Sequence, residues 1–99
     1  MLKHIVLLKF KKETGENKKK TLLEKLKTLP AKISEIKGYE MGYDIIQSPR
    51  SFDFGLIATF DDLEALKRYQ SHPEHVSVLK LLLSICEDII AVDFEMNEK

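Results

Sequence analysis

The order of the predicted elements constrains the fold more than any other feature of this chain. Apolar and polar residues alternate in four segments, which is the periodicity of β-strands. These segments are residues 2–11, 39–46, 52–60 and 85–96. The stretches 16–37 and 61–84 have helical periodicity instead. The resulting βαββαβ order predicts an α+β domain with its helices on one face of a single four-stranded antiparallel sheet.

The first predicted helix contains leucines and isoleucines at three- and four-residue steps, separated by lysine and glutamate. Thr14 is the candidate N-cap. Pro30 lies inside the pattern and is expected to break or kink the helix near residues 28–29. Gly38 is expected to end it, because glycine is favoured just beyond a helix C-terminus.

The second helical stretch is predicted to consist of two parts. Either Asp61 or Asp62 is expected to cap its start, where acidic side chains are favourable. The pair His72-Pro73 interrupts it, because the residue before a proline is disfavoured in the helical conformation. A further helix is expected over about residues 74–84.

The predicted sheet has large apolar residues on both faces, and this indicates a partner. In the first strand His4 and its neighbours at even positions lie on one face, while Ile5 and Leu7 lie on the other. The helices of a ferredoxin-like βαββαβ domain cover only one face. Because no further layer remains in the chain, we expect a second copy to cover the other face. The two sheets would then form a dimeric α+β barrel.

Length and composition limit the classes of function. The 99 residues are expected to form one domain spanning residues 1–99. The formal net charge of zero argues against a nucleic-acid partner, and the lysines at 18–20 are interpreted as a solvated helix start. The single Cys86 is expected to be a buried apolar side chain.

The amino-terminal apolar run is too short for a signal peptide or a membrane span. Only four consecutive apolar residues, at 5–8, occur there. A single cysteine cannot form an internal disulfide, so nothing requires an oxidising compartment. The sequence therefore predicts a cytoplasmic protein that does not associate with membranes.

Several motifs occur in a specific order along the chain. The most specific is Tyr-x-x-His-Pro-x-His at 69–75. The others are His-Ile-Val-Leu-Leu-Lys-Phe-Lys at 4–11, Gly-Tyr-Asp at 42–44, Ser-Phe-Asp-Phe-Gly-Leu-Ile-Ala-Thr-Phe at 51–60 and Val-Asp-Phe-Glu at 92–95. Together they resemble one known family, the stress-responsive A/B barrel (Dabb) domain, and the resemblance runs from residue 3 to about residue 95.

The resemblance implies a ferredoxin-like fold that forms a dimeric β-barrel, in agreement with the element order. Most members of the family have no established activity. A plant polyketide cyclase of this family has a catalytic tyrosine and histidine that resemble Tyr69 and His75. A histidine in its first strand resembles His4, and His72 also matches one of its positions. More distant dimeric barrels include cofactor-free quinol monooxygenases.

The candidate catalytic residues are His75, Tyr69 and His4. A neutral imidazole beside a phenol is suited to proton abstraction next to a carbonyl group. His75 would be the base, Tyr69 would donate a hydrogen bond to the developing oxyanion, and His4 would orient the pair. Structural interpretations stay open: His4 as a core histidine, Tyr69 and His75 as a hydrogen-bonded pair, and His72 as a cap at the helix break.

The candidate ligand-binding residues are His72, Tyr43 and Phe54. We predict no metal site, because Pro73 disfavours the continuous helix that His72 and His75 would need to share a metal. We also predict no cofactor, since the chain contains no glycine-rich phosphate loop. Three hypotheses follow: a homodimer that binds a small apolar or aromatic molecule, a cofactor-independent enzyme, and a structural dimerisation module.

Overall fold

The computed structural model describes residues 1–96 and confirms the predicted element order. The helical stretch between the third and fourth strands consists of two helices. The elements are β1 (Leu2–Phe10), α1 (Glu16–Lys32), β2 (Gly38–Tyr43), β3 (Phe54–Phe60), α2 (Leu63–Ser71), α3 (Pro73–Ile85) and β4 (Cys86–Glu95).

The four strands form one antiparallel sheet in the order β2-β3-β1-β4. The two central strands pair with Leu2 opposite Phe60 and Leu8 opposite Phe54. On the other side of β1, His4 lies opposite Asp93. Because side chains alternate along a strand, this register places the even-numbered residues of β1 on the face that carries the helices.

The core lies between that face of the sheet and the three helices. Helix α1 contributes Leu22, Leu26 and Leu29, each at most 3% exposed. Phe60 in β3 is completely buried. Burial of each such side chain contributes about 1.5–3 kcal/mol to stability. The helices are therefore held on the sheet mainly by apolar packing.

The starts of α2 and α3 follow the predicted signals. The carboxylate of Asp62 accepts a hydrogen bond from the backbone N–H of Ala65 at 2.9 Å, so Asp62 is the N-cap of α2. Pro73 is the first residue of α3, where its missing N–H leaves no helical hydrogen bond unmade. The predicted interruption at His72-Pro73 is confirmed.

Helix α1 begins at Glu16 as predicted, but its predicted N-cap and its predicted end are wrong. The N-cap is Gly15, and the Thr14 hydroxyl donates instead to the carbonyl of Ile85 at 3.0 Å. The helix ends at Lys32 rather than at Gly38, because Ile33 adopts an extended backbone that accompanies complete burial of its side chain. Pro30 is accommodated in the last helical turn, and the helix continues for two residues beyond it.

The β2–β3 hairpin is confirmed, but both strands are shorter than predicted. Strand β2 ends at Tyr43, and Ile45 and Ile46 are exposed in the connecting loop. Strand β3 begins at Phe54, and the carboxylate of Asp53 just before it accepts a hydrogen bond from the backbone N–H of Phe10 at 2.8 Å. The alternation of apolar and polar residues therefore overestimated the length of both strands at the ends that join the connecting loop.

The sheet face opposite the helices is apolar and largely exposed. Its central residues are half-exposed, with Ile57 37% and Val92 53% accessible. We refer to the following residues as the open face: Ile5, Leu7, Ile57, Ile90, Val92 and Phe94. Within residues 1–96 no helix is long and apolar enough to cross a membrane.

Candidate functional site

A cavity of about 280 Å³ lies between the sheet and the helices. We call it the interlayer cavity. Most of the residues around it are aliphatic, and its polar side chains are few. The lining residues are His4, Val6, Leu8, Leu26, Phe54, Leu56, Tyr69, Gln70, His75, Val78, Leu79, Leu82, Ile89 and Ala91.

The three candidate catalytic residues all line this cavity, although they come from three different elements. His4 lies on β1, Tyr69 on α2 and His75 on α3. The ring of Tyr69 lies between the two imidazoles, with centroid distances of 6.2 Å to His4 and 4.3 Å to His75. Packing of α2 and α3 over β1 therefore brings together residues that are distant in the sequence.

Tyr69 combines a buried ring with a hydroxyl group that is not used internally. The side chain is 2% exposed, and its ring also packs on Phe60 at a centroid distance of 4.8 Å. Burial raises the pKa of Tyr69 to about 12. None of the side-chain hydrogen bonds formed within residues 1–96 includes the Tyr69 hydroxyl. It therefore stays protonated at neutral pH as a potential donor to a ligand oxygen.

His75 is held at the helix break by a backbone carbonyl. Its Nδ1 lies 3.2 Å from the carbonyl oxygen of Gln70. Because a carbonyl only accepts, this hydrogen bond requires the proton on Nδ1 and leaves the lone pair on Nε2. Burial lowers the pKa of His75, and the hydrogen bond to Gln70 opposes this effect. His75 is thus a neutral imidazole at pH 7 with a free basic nitrogen.

Asp93 is a site residue that the candidate list lacked. Its carboxylate is hydrogen-bonded to Nδ1 of His4, directly across the β1–β4 pair. A carboxylate accepts this hydrogen bond, so Nδ1 carries the proton and the ring orientation of His4 is set. The signal was present in the sequence: Asp93 alternates with Ile89 and Ala91, on a strand face that otherwise lines the cavity.

His72 lies outside the lining of the cavity. Its Nδ1 accepts a hydrogen bond from the backbone N–H of Glu74 at 3.1 Å, so the side chain caps α3. This is the structural role that the proline break suggested. In a continuous helix the backbone N–H of Glu74 would donate to the carbonyl of Gln70, but here it donates to His72. The carbonyl of Gln70 is instead hydrogen-bonded to Nδ1 of His75.

The other two candidate ligand-binding residues are divided between two clefts. Phe54 lines the interlayer cavity. Tyr43 packs edge-on against Phe54 with centroids 5.2 Å apart, but it lines a separate, more polar cleft together with Lys19 and Asp53. The structure therefore brings Phe54 to the cavity with His4, Tyr69 and His75, and leaves Tyr43 and His72 outside it.

Two further sequence-based predictions concern Cys86 and metals. Cys86 is buried, as predicted, and burial raises its thiol pKa to about 11, with the Asp53 carboxylate adding to the effect. The thiol is therefore protonated and unreactive at neutral pH. Across residues 1–96, no group of three or more His, Cys, Asp or Glu side chains is arranged to hold a metal ion.

Burial of His75 has a consequence for stability. The pKa of His75 in the folded state lies below the usual 6.5. As the pH falls through that value, the unfolded chain therefore binds more protons than the folded chain does. We therefore expect the free energy of unfolding to decrease as the pH falls below 6.5, and to decrease less steeply in His75→Gln. Urea denaturation of both proteins across this range measures the difference. Parallel pH profiles would show that His75 has no lowered pKa.

Sequence comparison identifies the family. A profile of the Stress responsive A/B Barrel Domain (Dabb) matches residues 2–96. The chain belongs to this family. An uncharacterized protein of Streptomyces coelicolor is 31% identical over 97 residues, which cover 96% of this chain and 99% of the relative. Olivetolic acid cyclase of Cannabis sativa is 28% identical over 95 residues, with 94% of each chain covered.

Structural comparison confirms the fold. A crystal structure of a dimeric ferredoxin-like protein of unknown function from Thermobifida fusca superposes with a TM-score of 0.87. It is 28% identical, and the match covers 96% of this chain and 90% of that protein. The βαββαβ arrangement predicted from the sequence is thus the fold of this Dabb domain, and a solved relative with the same fold is described as dimeric.

Proposed function

We propose that this Dabb protein is a homodimer whose interlayer cavity binds a small apolar or aromatic molecule that carries a carbonyl or phenolic oxygen. The observation that supports this proposal is the composition of the cavity. Its walls are aliphatic, while His4, Tyr69 and His75 converge on it. Binding sites for small molecules are typically apolar, with a few polar groups that fix the orientation of the ligand.

The size and polarity of the cavity limit the ligand. A volume of about 280 Å³ is at the lower end of the range for ligand sites, so one or two fused rings, or a short chain, would fill it. The polar end offers the Tyr69 hydroxyl as a donor, the neutral imidazole of His75 and the imidazole of His4. It contains no lysine or arginine, so a neutral oxygen is favoured over an anionic group.

The dimer is supported by the open face. Ile57, Val92 and Phe94 leave between 37% and 53% of their surface accessible on a sheet that has no other cover. Contiguous apolar surfaces of this kind mark association sites. A two-fold arrangement of two such sheets buries both open faces and leaves each interlayer cavity on the outer, helical side of its own sheet.

A cavity-filling substitution tests ligand binding. Ala91 lines the cavity on the edge strand β4 and is exposed, so Ala91→Phe places a ring in the cavity without disturbing the core. The probe is prodan, a naphthalene ketone whose fluorescence changes when its carbonyl accepts a hydrogen bond. We expect wild-type protein to bind it and Ala91→Phe to bind at least about tenfold more weakly, since the ring occupies the ligand volume.

Ala31→Phe is the matched control for this experiment. Ala31 is exposed on α1 and does not line the cavity, so the same substitution there should leave dye binding unchanged. Equal loss of binding in both variants would locate the dye elsewhere. No binding to wild-type protein would favour the third hypothesis, a structural dimerisation module that needs no ligand.

A second candidate function, cofactor-independent proton transfer, is favoured by one specific observation. A neutral imidazole with a free Nε2 lies against a buried phenol whose hydroxyl has no partner within residues 1–96. In this reaction Nε2 of His75 removes a proton from the carbon next to a carbonyl, and the Tyr69 hydroxyl donates to the enolate oxygen. Protonated His75 then returns the proton. The cyclase of Cannabis sativa shows that an enzyme occurs among the relatives.

A further inference from the structure

One row of residues crosses all four strands on the helical face of the sheet. Tyr39 of β2 lies opposite Ala58 of β3. Ala58 in turn lies opposite His4 of β1, and His4 lies opposite Asp93 of β4. The row therefore connects Tyr39 with the His4–Asp93 pair of the candidate site. Tyr39 has no role in the ligand binding or the proton transfer proposed above.

The residue between Tyr39 and His4 is the smallest in this row. Ala58 is completely buried, and its methyl group is smaller than the side chains of its two neighbours in the row. The phenol of Tyr39 packs against the hydrophobic core. Tyr69 contacts the His4 ring from the helix above it. The two tyrosines thus approach the same part of the interior from opposite layers.

The hydroxyl of Tyr39 is buried and has no hydrogen-bond partner within residues 1–96. Buried hydroxyl groups are almost always satisfied by protein, ordered water or ligand. Burial raises the pKa of Tyr39, and the nearby Tyr69 adds to the effect, which is consistent with proximity of the two phenols. The structure therefore contains two phenolic hydroxyls in one region, neither of which is bonded to another residue of the described chain.

We propose that Tyr39 is a positioning residue of the interlayer site: its hydroxyl orients the hydroxyl of Tyr69 through one buried water, so that Tyr69 donates to the oxygen of the ligand. This inference rests on the proposed function. A tyrosine hydroxyl can accept one hydrogen bond while it donates another, so Tyr39 and Tyr69 can form a short relay that ends at the ligand. Donation along such a chain strengthens the terminal hydrogen bond.

The test is Tyr39→Phe, which removes one oxygen atom and keeps the ring in the core. Tyr43→Phe is the matched control, because Tyr43 lies on the same strand and face but is 47% exposed, whereas the hydroxyl of Tyr39 is buried. The chain has only three tyrosines, so their isotope-labelled ring carbons can be assigned by comparing the Tyr→Phe variants. The first readout is the Tyr69 ring resonance in the free protein, and the second is prodan affinity and emission.

We expect Tyr39→Phe to shift the Tyr69 resonance and to weaken prodan binding about three- to tenfold, with emission that indicates a weaker hydrogen bond to the carbonyl. Tyr43→Phe should change neither. Two results together would overturn the inference: an unchanged Tyr69 resonance and a higher melting temperature in Tyr39→Phe. They would show that the Tyr39 hydroxyl is simply a buried group without a hydrogen bond, which destabilises the protein. Failure of wild-type protein to bind prodan would refute the proposed function instead, and the resonance would still decide the role of Tyr39.

Discussion

Replacement of Ile57 by aspartate should convert the dimer into monomers. Ile57 lies in the open face, in the central strand β3, and a two-fold interface would place the new carboxylate against apolar surface in both protomers. Burial of an unpaired charge costs several kcal/mol for each ion. The dissociation constant of the dimer should therefore rise by about a thousandfold or more. Sedimentation velocity or light scattering after gel filtration measures the change in mass.

Ile45→Asp provides the matched control. Ile45 lies in the hairpin loop and is 88% exposed, so the same change of side chain there should leave the dimer intact. Because Ile57 is already 37% accessible in the single chain, the monomer produced by Ile57→Asp should remain folded, which circular dichroism can check. Retention of the dimer in Ile57→Asp would contradict the assignment of the open face as the interface.

Replacement of His75 by glutamine should lower proton-transfer activity by about 100- to 10,000-fold, the usual contribution of a general base. The reaction to measure is the exchange of hydrogen for deuterium next to the carbonyl of a small aromatic ketone, followed by NMR. Glutamine keeps a polar side chain of similar size but has no basic nitrogen. Tyr69→Phe should also slow the exchange, because the enolate oxygen loses its donor.

His72→Gln is the control for the base. His72 lies three residues away and caps α3, but it does not line the cavity, so its loss should lower stability without abolishing exchange. Both His75→Gln and Tyr69→Phe should remain dimeric, since neither residue belongs to the open face. Wild-type exchange at the rate of solvent alone would exclude this proton transfer and leave ligand binding as the function. A His75→Gln variant that is monomeric or unfolded would show a structural role for His75.

Three of the candidate site residues lie together in the structure, whereas several of the predicted segment ends differ from the observed ones. His4, Tyr69 and His75 were selected by residue type and by their place in the family motifs, and the structure places all three on one cavity. His72 and Tyr43 were selected for similar reasons, and they lie elsewhere. The difference depends on side-chain direction at a helix break and at a strand end, which spacing along the chain does not specify.

Asp93 shows why the hydrogen-bonding partner of a site residue can be missed when only the sequence is considered. Its position next to His4 depends on the register of β1 and β4, because the two residues are 89 positions apart in the chain. Register follows from packing of the whole sheet, and a shift by one residue would turn Asp93 to the opposite face. The same limitation applies to Tyr39, which joins the row only through Ala58.

Local rules, readable from the sequence, determined the element types and their order. Alternation specified the strands, three- and four-residue periodicity specified the helices, and Asp62 and Pro73 marked two helix starts. Tertiary structure alone decided where α1 ends, because burial of Ile33 stabilises the chain more than a longer exposed helix would. It also created the cavity, since a volume between layers depends on how side chains from three strands and three helices fit together.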